Sequence, residues 1–342
     1  MRADLSQVKK NRLFPAAMLQ IPLLLFFFTS TFIRAQLINN CVSEFQASNL
    51  KFNIELVKAG KIKRIMLSVL QKPDLQVITD RGEVQCYEFD TTGLLTRYYA
   101  TRVISQEQVE TFYKAVYKRG RRIRAAYTDI SWKYVYDTSF TWYVYDKNRN
   151  MLMKRSNYGD FYNTFYYDYD SLGQVKRETN VKETNKNPAR GNFELGVQTI
   201  LSVESFEYIQ QSPTQLKKLC YNDDGKIYKQ GIINHDSNTV EENYSFVVGY
   251  VRYKNTYIYL PSGKLSSKEM YSNSNGDLKI FTTYTYDADG NIAEEKVFTN
   301  DVQTDLVAYI YDDSKRLLKS RLDRQFERNS IEIIKFSYDL YP

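Results

Sequence analysis

Histidine is nearly absent from this chain, with His235 the single example in 342 residues. A catalytic triad, a histidine metal cluster or a histidine general base would each have to be built on that one side chain. It lies in IINHDSN, where a solvent-facing turn residue is expected. Cysteine is as scarce. Cys41, Cys86 and Cys220 form an odd, sparse set that allows at most one internal bond and contains no CxxC, so no disulfide framework, zinc ribbon or thioredoxin-like site is indicated. Each serves equally well as a small apolar filler. GxSxG, HExxH, GxGxxG and Walker A patterns are all missing, and PSGK at 261–264 reads as a turn. Paired carboxylates could still support a glycosidase, but the Asp and Glu here fall mainly at turns. No catalytic residue, cofactor or metal ligand is expected, and the protein is expected not to be an enzyme.

One apolar run breaks the polar character, from Leu13 to Phe28 with IPLLLFFF at its centre, preceded by Arg2, Lys9, Lys10 and Arg12 and followed by TSTFIRAQ. That order is the order of a signal peptide. Pro15, Gln20 and Pro22 interrupt it, so it is short and irregular for a spanning helix of about twenty apolar residues. Residues 1–35 are therefore expected to be a signal peptide cleaved after Ala35. The alternative is an uncleaved N-terminal anchor, since Ile33 and Arg34 stand where small residues are usual. Export would place the protein in the periplasm, at the cell surface or outside a bacterium, with no stable membrane span after cleavage. It would also lower the net charge from +7 to +3, because the segment holds five Lys or Arg and one acidic residue. A nucleic-acid partner loses its support, and KRGRRIR at 118–124 reads as a solvated face.

Aromatics are what the chain has in supply, with 30 Tyr and 19 Phe. Many fall in a recurring pattern: YEFDTTGLL (87–95), YVYDKNRNM (143–151), YDYDSLGQV (167–175), LCYNDDGKI (219–227), YIYLPSGKL (257–265), YTYDADGNI (284–292) and YIYDDSKRL (309–317). The chain ends on FSYDLYP (336–342), a unit cut off at its turn. The spacing is near twenty-five residues, with two gaps of about two units and one insertion. The fifth position after the Asp slot is aliphatic in all seven complete units, which chance would give on the order of once in ten thousand.

Aromatics at alternate positions mark one buried face of a strand. D-x-x-G then turns the chain, the Asp accepting from backbone two residues on and the Gly taking φ > 0. Arg149 and Lys315 replace that Gly in two units. Each unit is a pair of antiparallel strands. The expected fold is all-β: a long antiparallel meander of hairpin repeats, forming a curled sheet or partial β shell that covers its own edges. Residues 36–342 are expected to be one domain, with first strands at 36–80 (LKFNIEL, IKRIMLSV) and repeats over 81–342. The S-x-x-Q start and helical spacing of Val109, Phe112 and Val116 predict one short helix near 106–118. The breaker-rich NVKETNKNPARGN predicts a loop at 180–192.

The unit YTYDADGNIAEEKVF also gathers Asp287, Asp289, Asn291, Glu294 and Glu295. A calcium loop of the EF type needs ligands at positions 1, 3 and 5, Gly at 6 and Glu at 12. Counted from Asp287, Gly290 is at 4 and the glutamates at 8 and 9, and the sister turns carry few carboxylates. A turn explains the cluster better than a metal.

The Tyr-Asp-x-x-Gly units resemble YD repeats, the building blocks of Rhs-type bacterial proteins, over roughly residues 80–342. The resemblance implies antiparallel strands spiralling into a broad β shell and an exported or surface-associated protein. No core motif like RYYDP and no effector segment follow, so toxin delivery is not implied.

Trp132 and Trp142, in DISWKYVYDTSFTWYVYD, lie outside the repeated slots and are the candidate ligand-surface residues; the alternative is packing. The function expected is an exported, non-enzymatic β-repeat protein presenting an interaction surface to a cell-surface glycan or a protein. The alternatives are a carbohydrate-binding module and an outer-membrane β-barrel. The last requires an apolar lipid-facing side, which VKRETNVKET and KLSSKEMYSN do not supply.

Overall fold

The computed structural model describes residues 52–342, apart from 114–115, 120, 125–126, 159–160, 187–193, 248–251, 275 and 314–316. These belong to the larger of two compact units, Arg34–Pro342. The expected signal peptide and Cys41 lie outside the described residues.

A short helix, α1 (Ile54–Ala59), leads into β1 (Ile62–Pro73), β2 (Thr79–Phe89) and β3 (Leu95–Tyr113). A small hairpin of β4 (Val116–Lys118) and β5 (Arg121–Arg124) tops a long excursion, from which β6 (Tyr127–Tyr145) returns. Then come β7 (Met151–Tyr158), β8 (Phe161–Tyr169), β9 (Val175–Asn185), β10 (Leu195–Ser212), β11 (Gln215–Tyr221), β12 (Ile227–Asp236) and β13 (Thr239–Phe246). The chain finishes with β14 (Arg252–Tyr259), β15 (Leu265–Ser272), β16 (Leu278–Tyr286), β17 (Ile292–Thr299), β18 (Val302–Tyr311), β19 (Leu318–Gln325) and β20 (Ser330–Leu340).

Apart from β4 and β5, each strand pairs antiparallel with its neighbours in the chain, and β1 pairs with β20 as well as β2. The result is a closed barrel of 18 strands, not the expected curled sheet or partial shell. Closure answers the edge problem of a long meander. It is made by the truncated last unit: Phe336 and Tyr338 stand opposite Leu67 and Ile65 of β1.

The hairpins are built as their residues dictate. Gly93 N–H donates to the carbonyl of Asp90 (3.1 Å) and Asp90 N–H to that of Leu94 (2.9 Å), while the Asp90 carboxylate accepts from the N–H groups of Thr92 and Leu94. Gly93 has φ +86°, and the same geometry recurs at 146–150, 170–174 and 287–291. Arg149 takes the glycine place with φ 69°, a conformation that is strained for any residue with a Cβ. The turn at 312 is one residue longer, since Asp312 N–H bonds the carbonyl of Leu317, and Leu318 takes the buried aliphatic slot.

The aromatic face of the strands points inward. One apolar cluster around Phe52 and Val57 draws Ile65, Tyr87, Leu95, Tyr143, Tyr309, Leu318 and Ile334 from seven neighbouring strands towards a six-residue helix, as side chains on a concave face do. Arg321 on β19 acts electrostatically on Tyr87 across β20 and β1. The position between the two aromatics points the other way and is open: Val144, Ile258 and Ile310 are 46%, 44% and 43% exposed.

One hairpin is inverted. Between the turns at 170 and 222 the chain makes three strands, β9 to β11, and between 222 and 260 three more, β12 to β14, where the other intervals hold two barrel strands. In a ring of alternating directions the turn at 222–225 therefore opens towards the opposite rim from the other D-x-x-G turns. A chiral hairpin turned end for end, while the chain keeps circling the same way, must present its former inner face outward. It does so: Tyr221 and Leu219 stand opposite Ser205 and Glu207, and Tyr221 donates to Glu207 at 2.6 Å. Ile227 is consequently 39% exposed, where Ile292 in the same slot is 1% exposed.

Three sequence expectations are corrected. The segment predicted as a helix at 106–118 is the end of β3 and all of β4, with Val109 and Phe112 paired to Ser131 and Thr128. Long-range pairing overrides the local spacing. The loop predicted at 180–192 begins only after Asn185, because Val181 and Glu183 sit on alternate, buried positions of β9, and 187–193 lie outside the described residues. In the N-terminal region expected to supply first strands, residues 54–59 are instead α1, capped by the Asn53 side chain, which accepts from the N–H groups of Glu55 and Leu56.

Candidate functional site on the outer wall

Cross-strand register aligns a row of polar residues around nearly half of the outer wall. Asp339 of β20 stands opposite Arg64 of β1, Arg64 opposite Glu88 of β2, and Glu88 opposite Arg97 of β3. Arg97 faces Trp142 of β6, Trp142 faces Arg155 of β7, and Arg155 faces Thr164 of β8. The charges alternate and pair: Arg64 with Asp339 at 3.2 Å and Glu88 at 3.3 Å, Arg97 with Glu88 at 3.7 Å, and Arg155 with Glu183 at 2.7 Å.

The row ends on Glu183, which is fully buried. Its carboxylate accepts from Arg155 Nε, the Thr164 and Tyr166 hydroxyls and the Gln198 amide. Burial alone would raise its pKa, but these four donors prevail and hold it below the usual carboxylate range. Burial, together with the same carboxylate, pushes the Tyr166 phenol up.

Trp142 sits mid-row and is half-buried. Its ring stacks near that of Phe140 (5.8 Å, 19°) and meets Tyr162 (5.7 Å, 50°), while the Arg97 guanidinium lies 5.2 Å from Phe140 and 5.5 Å from Tyr99. Aromatic faces edged by guanidinium donors can stack on an apolar ligand face and hydrogen-bond its hydroxyl or carboxylate groups. The patch holds no histidine or unpaired carboxylate, and its one thiol, Cys86 opposite Tyr99, is fully buried, which pushes its pKa up.

Trp132, the second candidate, is ten residues earlier on β6, opposite Gln108 and roughly 33 Å along the strand. The two tryptophans are not brought together, and the Trp132 side chain lies outside the described residues. Sequence reasoning missed Arg97, Arg155 and Glu183. Only their alternate placement within strands could have pointed to them.

The other candidates separate. His235 is exposed on β12. Cys86 and Cys220 are buried and free. The acidic cluster of the 287 turn diverges: the Asp287 carboxylate accepts from the backbone N–H and side-chain amide of Asn291, and Glu295 on the inner face accepts from Tyr309, whereas Glu294 pairs with Thr285 on the outer face. Among the described residues no group of His, Cys, Asp or Glu is placed to hold a metal.

No protein-family model matches the chain, and no curated protein matches it. Among solved structures it is similar to a porin-like protein from Bacteroides uniformis ATCC 8492, with 12% identity and a TM-score of 0.35 over 81% of this chain and 98% of that one. It is also similar to a porin-like protein from Bacteroides vulgatus ATCC 8482, with 11% identity and a TM-score of 0.30 over 59% of this chain and 95% of that one.

Proposed function

We propose that this is an exported, non-enzymatic β-barrel of the bacterial cell envelope whose outer wall binds a partner through the Trp142 patch. Stacked rings flanked by Arg97 and Arg155 favour a glycan, with a protein loop as the other occupant. The observation that carries this reading is the charged row on the outer wall. Arg or Lys facing lipid costs about 2–4 kcal/mol each at the bilayer midplane. The same wall also presents the pairs Lys254–Glu241 and Lys279–Glu269.

The second reading is an outer-membrane barrel, and the ring itself favours it over an open interaction sheet. The strand number is even, both ends of the described chain lie at one rim, and most of the tight D-x-x-G turns gather at that rim, as in transmembrane barrels. Among the described residues no helix is long and apolar enough to cross a membrane, which says nothing of a barrel.

Fractionation separates the two. The first reading expects the exported chain in the detergent-free soluble fraction; recovery only with detergent from outer membranes would replace it with the second. A glycan array then tests the patch, with binding expected for the native chain and lost in Trp142→Ala.

A further inference from the structure

Ring closure leaves one stretch of strand open on one side. β10 pairs with β9 from Leu195 to Ser205, but with β11 only from Ser205 onward. On its β11 side, from Leu195 to Glu204, no strand is paired with it among the described residues. The inverted hairpin causes the gap. Its turn at 222–225 stops β11 short, and the Asp223 carboxylate takes the N–H of Val203 at the point where pairing ends.

An open strand edge is a template for another strand, and proteins usually guard it with charge or proline. The centre of this edge has neither. LGVQTILSV, 195–203, has no charged residue in a chain that is 25% charged. Val197, Ile200 and Leu201 are 70%, 62% and 52% exposed. Bulges between Leu195 and Gln198 and between Ile200 and Ser202 limit the regular edge to its centre, so apolar side chains carry as much of the contact as the backbone does.

The segment is close to self-complementary. Set antiparallel to a second copy about a two-fold axis at Thr199, Val197 meets Leu201, Leu195 meets Val203 and Gln198 meets Ile200 with no charge among them, and the like-charged pair Glu194 and Glu204 stands just beyond at each end. A charged foreign strand would find no complementary charge there. We infer that two copies of this chain associate through their β10 edges, in an isologous antiparallel pairing centred on Thr199. A single strand pair is smaller than a standard interface, so the dimer is weak and concentration-dependent.

Sedimentation velocity of the full exported chain, over roughly micromolar to hundreds of micromolar, tests this. The expected result is a mass that rises from one chain towards two, and a mass fixed at one chain in V197K/L201K. In addition, mild oxidation is expected to give a covalent dimer of Thr199→Cys but not of Ser205→Cys, which is paired on both sides. Far-UV circular dichroism and the melting temperature of each variant show whether it keeps the barrel. A native chain that stays single at the highest concentration overturns the inference. So does a dimer that survives the paired lysines, or one in which Thr199→Cys fails to cross-link.

Discussion

The hydroxyl of Tyr286 donates to the carbonyl oxygen of Leu265 at 2.6 Å, reaching from one hairpin to the first strand residue of the one before it. Tyr145 makes the same bond to Leu95, Tyr169 to Met151 and Tyr338 to Leu318. In these four units the aromatic just before the Asp slot therefore fastens the unit to its predecessor. Tyr286→Phe is expected to lower stability by about 1 kcal/mol, the net worth of one hydrogen bond. A urea titration should show a lower midpoint with an unchanged slope.

Arg149 should be improved by glycine. Its φ of 69° is strained for a side chain, and its pairing with Glu55 is exposed and contributes little. Arg149→Gly is expected to raise stability by about 1 kcal/mol, whereas Gly173→Ala, at φ 76°, should lower it. Paired thermal melts check the opposite signs.

Glu183 should be the most sensitive residue of the outer row. Removing a fully buried carboxylate strands the Arg155 charge, and Glu183→Ala is expected to cost about 3–5 kcal/mol. Because the folded-state pKa is lowered, its contribution is complete above the unfolded value and is lost as pH falls through the folded one. Stability of the native chain should thus decline more steeply below about pH 4.5 than that of Glu183→Gln. Denaturant midpoints collected from pH 7 downward provide the comparison.

Glu88 bridges Arg64 and Arg97 but is partly exposed, as both partners are. Glu88→Gln is expected to cost less than about 1 kcal/mol, and added salt should shrink the difference. Equal losses at Glu88 and Glu183 would contradict the difference in burial on which both expectations rest.

Alternation was legible in the sequence because it is local. Tyr87 and Phe89, or Tyr284 and Tyr286, reveal a buried face to anyone counting by twos, and Asp90 with Gly93 reveals the turn. Closure was not legible, because nothing in IKRIMLSV says that its partner is the last strand of the chain. Val109 and Phe112 misled for the opposite reason: their spacing fits a helix, and only the distant partners Thr128 and Ser131 decide against it. Glu183 hid in a segment that reads as polar. A charged residue in the slot of a strand looks like a solvent face until its four donors, drawn from three other strands, are assembled.

The inverted turn at 222–225 also limits how such a chain can change in length. Three strands precede that turn and three follow it, so the two odd intervals cancel and the final strand arrives antiparallel to the first. Deleting a single strand from either interval would bring β20 to β1 running the same way, and the seam could not form as it does. Strands can therefore be gained or lost only in pairs, either as one whole unit or as one strand from each side of Asn222.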